Sequence, residues 1–123
     1  MEINWNTTFI DPQNLINISR GDPNRMLKYL LQFQELIPER MEILKASLEA
    51  EDRAMVRQIL HKMSPQLQFF GLPDILPSIR RLEHEYQTMP FEELESLVND
   101  IFIKLEGARQ EVEQILNSQF PSL

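Results

Sequence analysis

The spacing of the apolar residues constrains this chain most. Met26, Leu27, Leu30, Phe33, Ile37, Met41, Leu44 and Leu48 recur mostly at intervals of three and four, and Leu94, Leu97, Val98, Ile101, Leu105, Ala108, Val112 and Ile115 repeat the pattern. That interval draws one stripe along an α-helix and does not line one face of a strand. A stripe of this length must be buried, and with no strand signal elsewhere the partners are other helices. The connections are short, which makes successive long helices antiparallel neighbours. The expected fold is all-α: an antiparallel four-helix bundle with an additional short N-terminal helix, in one domain over residues 1–123.

Start and stop signals divide the chain. Asp11-Pro12 opens a short helix carrying Leu15, Ile16 and Ile18 and ending near Gly21, and Asp22-Pro23 opens the next. In both, a carboxylate accepts from free N–H groups of the first turn while proline fills a position that needs no donor. The second helix runs to about Ala50, and Pro38 inside it should kink or split it. Asp52 caps a third helix, and Gly71 serves as its C-terminal cap. Pro73 is expected to open the fourth, with Ile75, Leu76, Ile79, Leu82 and Tyr86 as its stripe and Pro77 in its first turns. Pro90 opens the fifth. Residues 1–10 read as an extended lead-in with Trp5 and Phe9 tucked against the bundle, and 119–123 as a frayed tail.

Composition excludes several functions. The formal net charge of −7 disfavours nucleic acid and an anionic membrane surface, both of which need clustered Lys and Arg. With no cysteine there is no disulfide framework and no thiolate metal site. No apolar run reaches membrane-spanning length and no signal peptide stands at the N-terminus, so a soluble, cytoplasmic, monomeric protein is expected. No metal site and no Gly-rich phosphate loop is visible, and the Glu-rich last helix reads as a solvated face. Met1 favours a free-standing protein.

The third helix carries one of two histidines. On a helix turning about 100° per residue, Val56, Ile59, Met63, Leu67 and Phe70 share one side and His61 points roughly 180° away. Around it on the outer face lie Ala54, Arg57, Gln58, Ser64, Pro65 and Gln68, a surface that another macromolecule can reach. A neutral imidazole, with an unperturbed pKa of about 6.5, is a competent nucleophile near pH 7. Arg57, one turn before His61, and Lys62, directly after it, are the local cations, and Ser64 offers a hydroxyl without charge. By geometry alone this set is equally an ordinary solvated surface. His84 falls on the surface of the fourth helix.

The stretch from His61 to Glu83 resembles the phosphoacceptor motif of histidine-containing phosphotransfer (HPt) domains, the shuttle modules of phosphorelays. His61, Met63, Phe70, Gly71, Leu82 and Glu83 stand at the family spacings, and Lys62 after the histidine is frequent there. Three positions depart: Ser64 replaces a lysine, Pro65 a glycine, and Gln68 a small residue. The resemblance implies that His61 is the phosphoacceptor and that Glu83 on the next helix holds its second ring nitrogen. It implies receiver domains as partners, one of a hybrid histidine kinase as donor and one of a response regulator as recipient. It implies no cofactor on this chain and no kinase activity of its own, with Mg2+ on the receiver. A non-catalytic helical adaptor is the alternative. The phosphoacceptor helix pair of a histidine kinase fits less well, since such helices usually place an acidic residue where Lys62 stands.

Pro65 has no N–H, so the His61 carbonyl loses its helical donor and a bend is expected just past the histidine. If that bend gives a docking partner the room that glycine gives elsewhere, Pro65→Gly changes both transfer rate and partner affinity. Unchanged values in a transfer assay and a titration would remove the idea.

Overall fold

A computed structural model describes residues 7–72 and 75–120, and among these are five helices and no strand. Helix α1 spans Pro12–Ser19, α2 Pro23–Glu49, α3 Arg53–Phe69, α4 Leu76–Glu85 and α5 Phe91–Gln119. The first three begin as their sequences dictate. The Asp11, Asp22 and Asp52 carboxylates accept from the N–H groups of Gln13, Asn24 and Met55 at 3.0, 2.9 and 3.0 Å. Each such cap stabilises its helix by about 1 kcal/mol.

Two prolines stand inside helices that continue past them. Helix α2 is not split at Pro38, and α3 continues past Pro65 to Phe69. Helix α4 begins at Leu76, with Pro77 in its first turn, and not at Pro73. Both Pro73 and Trp5 lie outside the described residues. At 10 residues α4 is short, so the bundle does not have four long helices. At the other end Gln119 belongs to α5, and Phe120 packs partly buried against the core.

Helix α2 packs on α3 and α5, α3 on α4, and α4 on α5, which closes a ring of four elements; α1 lies against α2 and α3. The cross-helix pairs run in opposite chain directions. Tyr29 meets Phe69, while Arg40 meets Lys62 and Gln66. Arg53 meets Tyr86 and Met89, while His61 meets Glu83. The predicted stripes line the interior: Phe33, Ile37 and Leu44 of α2, Val56, Met63 and Leu67 of α3, Ile79 and Leu82 of α4, and Val98, Leu105 and Val112 of α5 are all buried. Met41, Leu97 and Tyr86 are only partly buried at the margin.

Two turns explain two residues. Helix α3 ends with Gly71 at φ +61°, the Gly71 N–H donating to the Gln68 carbonyl and the Leu72 N–H to Leu67. This is the left-handed helix stop that suits glycine. A Cβ at Gly71 would lie 2.5 Å from the Asp11 Cβ, so glycine is required by space as well. Helix α2 ends the same way, but with Glu51 at φ +54°. An L-residue with a Cβ holds that conformation at a cost of about 1 kcal/mol.

The segment before α1 is bound across α5. Backbone N–H groups of Thr8, Phe9 and Ile10 all donate to the Glu111 carboxylate. The Phe9 ring lies over Gly107, where a Cβ would collide with it. That seat accounts for a glycine inside a helix, which costs about 1 kcal/mol relative to alanine.

Glu51→Gly is expected to raise unfolding stability by about 0.5–1 kcal/mol by relieving the left-handed strain. Gly71→Ala is expected to lower it by at least about 1 kcal/mol. Urea midpoints with unchanged slope check both; equal midpoints for Glu51→Gly and the native chain would contradict the strain argument.

Candidate functional site

His61 sits mid-way along α3 because the buried stripe beneath it, Val56, Ile59, Leu60, Met63 and Leu67, turns that face inward. Its side chain is 68 % exposed, as a residue opposite that stripe must be. Ala54, Arg57, Gln58, Lys62, Pro65 and Gln68 are exposed around it, whereas Ser64 is half-buried. The predicted face is therefore present, with Ser64 set at its edge.

The ring is not free to spin. The Glu83 carboxylate, on α4, lies 2.8 Å from the His61 Nδ1 and is 27 % exposed. A carboxylate opposite Nδ1 favours the neutral tautomer with its proton there, leaving the Nε2 lone pair for chemistry or a ligand. Glu83 is in turn placed by α4, whose Ile79 and Leu82 are buried. Arg81 braces that helix against α5 through Glu93 while also pairing with Glu85. Those hydrogen bonds, Glu93 first, hold the Arg81 guanidinium above its ordinary value.

Next to this pair α3 and α4 are joined by two arginines. The Arg57 guanidinium stands 5.5 Å from the centre of the Tyr86 ring, on the α4 side of the face. Arg53 donates to the Tyr86 and Met89 carbonyls and lies over Phe91. Arg53, Arg57 and His61 thus form successive rungs, each one turn apart, that tie α3 to the end of α4. His84 is exposed and faces none of these groups among the described contacts.

Several residues of this region carried no sequence prediction. Phe69 is 40 % exposed and pairs with Tyr29 of α2, ring centres 5.7 Å apart, two turns along from His61. The helical period already put Phe69 on the outer half of the wheel, so a signal existed. Asn14 of α1 donates to the Gln68 and Phe69 carbonyls at 2.8 Å each, and the Asp11 N–H donates to Phe70. These bonds satisfy the open carbonyls at the end of α3, and nothing in the local sequence of Asn14 announces them. Arg40 of α2 donates to the Lys62 carbonyl and reaches the Gln66 side chain.

Among the described residues no group of three or more His, Asp or Glu side chains is gathered that could hold a metal ion. A cavity of about 70 Å³ lies elsewhere, between Thr8, Phe9, Leu72, Ile75 and Lys104, too small for a cofactor. No helix among the described residues is long and apolar enough to cross a membrane.

No family model matches the chain, and no curated protein matches it. Its fold is similar to the crystal structure of an HPt domain from a sensor hybrid histidine kinase of Shewanella. The TM-score is 0.77 at 20 % identity, over 88 % of this chain and 93 % of that one. Identity at that level speaks for a shared helical-bundle fold.

Glu83→Ala is expected to release the ring and shift the neutral His61 from the Nδ1–H form toward the Nε2–H form, with stability falling by at most about 1 kcal/mol for so exposed a pair. Nitrogen-15 shifts of the imidazole report the ratio of the two forms. The same ratio in both proteins would show that Glu83 does not set it.

Proposed function

We propose that the chain is a phosphorelay intermediate in which His61 accepts a phosphoryl group from a receiver-domain aspartate of a hybrid histidine kinase and passes it to a response regulator. One observation carries the reading: a water-facing imidazole with Nδ1 engaged by Glu83. The likeness in fold to an HPt domain adds to it, as do the motif positions His61, Met63, Gly71 and Glu83.

The step balances with these groups. The Nε2 lone pair attacks phosphorus, the P–O bond to the aspartyl carboxyl breaks, and the carboxylate leaves with the electron pair. The Nδ1 proton stays in place, and Glu83 offsets the positive charge that the phosphorylated ring acquires. Transfer to the second aspartate is the reverse. Phosphoryl transfer depends mainly on positioning and electrostatics, so a carrier needs an oriented nucleophile and little else. The Mg2+ belongs to the receiver. Lys62 and Arg57 supply positive charge near the transferred group. Ala54, Gln58, Pro65 and Gln68 form the docking face, extended by Phe69 and Tyr29.

Incubation with a phosphorylated receiver is expected to leave acid-labile, base-stable label on this chain and none on His61→Gln. Glu83→Ala should keep the label but acquire it more slowly, by about tenfold to a hundredfold. Label that persists in His61→Gln overturns the proposal and favours a helical adaptor, whose partner binding is indifferent to His61.

A further inference from the structure

Arg40 is used by nothing described so far. It lies on α2, two residues after Pro38, and its Nη1 reaches across to α3. There it donates to the Lys62 carbonyl at 2.9 Å and to the Gln66 Oε1 at 3.3 Å. Lys62 and Gln66 are the two ends of one helical rung, and the rung beside it is the one that Pro65 removes. Without an N–H at Pro65, the His61 carbonyl has no donor four residues on, and the proline ring presses on that carbonyl. This turn of α3 is therefore the weakest in the helix, and it is the turn on which His61 is mounted.

We infer that Arg40 is a positioning residue for His61: by gripping the Lys62 carbonyl and the Gln66 amide it holds the proline-weakened turn at fixed pitch, so that the imidazole meets Glu83. The inference rests on the reading of His61 as phosphoacceptor for its functional consequence, but its geometric core is independent. His61 is then located from two sides. Its backbone is held from α2 through Arg40, and its ring from α4 through Glu83. A guanidinium suits the task, since the two N–H groups of its Nη1 are held in one rigid plane and serve a carbonyl and an amide oxygen together, which a lysine ammonium on a flexible stem does less well. Arg40 does not supply the rung lost at Pro65, whose acceptor is the His61 carbonyl; it holds the neighbouring carbonyl of Lys62, and the helix runs on to Phe69.

The test pairs Arg40→Ala with Pro65→Ala, which restores the N–H, and reads the unphosphorylated protein first. In the native background Arg40→Ala is expected to reduce the Nδ1–H form of His61 toward that of Glu83→Ala. Phosphoryl transfer from a receiver should slow on the order of tenfold, as small misplacements of a nucleophile do. In the Pro65→Ala background both losses should shrink to within about twofold, because the helix then closes its own rung. Arg40→Lys should lie between. Equal losses in the two backgrounds, or an unaltered tautomer ratio in Arg40→Ala, overturn the inference. A native chain that never takes label removes the phosphorelay reading instead, and the tautomer ratio still decides what Arg40 does. Circular dichroism of each variant separates these outcomes from failure to fold.

Discussion

Val56, Ile59, Leu60, Met63 and Leu67 are buried because α3 is packed by α1, α2 and α4 at once, and this packing fixes the rotation of α3 about its own axis. Each side chain of that size contributes about 1.5–3 kcal/mol by leaving water. Turning the helix enough to bury His61 would expose most of the stripe, at a cost comparable with the whole stability of a small domain, about 5–15 kcal/mol. The outward direction of the imidazole is thus inherited from the core. Nothing about histidine itself needs to enforce it.

The ring is held far more lightly. Its partner Glu83 is reached at 2.8 Å, but both side chains touch water, and exposed pairs of this kind contribute at most about 1 kcal/mol. Strong backbone placement with weak ring restraint suits the phosphoryl exchange proposed for His61, in which the ring changes charge and partner. A buried and fully hydrogen-bonded imidazole would resist both. The order of the ring consequently depends on how still α4 is, and α4 is held by Ile79 and Leu82 below, Arg53 at its end and Arg81 at its side.

Much of this was legible in the chain. The stripes of α2, α3 and α5 follow from side-chain period alone, and Asp11-Pro12 and Asp22-Pro23 mark starts because both signals act within one turn. The reach from His61 to Glu83 came from a resemblance in motif, and the geometry agrees with it. Proline is harder to read from sequence, because its effect depends on neighbours. Pro38 interrupts one hydrogen bond in a helix whose Phe33, Ile37 and Leu44 are buried, and packing outweighs that loss. The start of α4 was placed early because Pro73 and Pro77 carry the same local signal, and only the chain's path after Gly71 chooses between them. Arg40, Asn14 and Tyr29 were invisible for a simpler reason. Each acts on a residue at least 22 positions away, and no local pattern encodes such a distance.

The anchoring of residues 8–10 on Glu111 bears on how the molecule comes to be made. The amide of Thr8 and its carboxylate acceptor are separated by 103 positions. A nascent chain therefore carries this strap without its seat until α5 has left the ribosome. Contacts between such distant segments form late, because closing so large a loop costs entropy before any contact repays it. The clasp between residues 8–10 and α5 cannot be fastened before α5 exists, and until then Phe9 has no seat over Gly107.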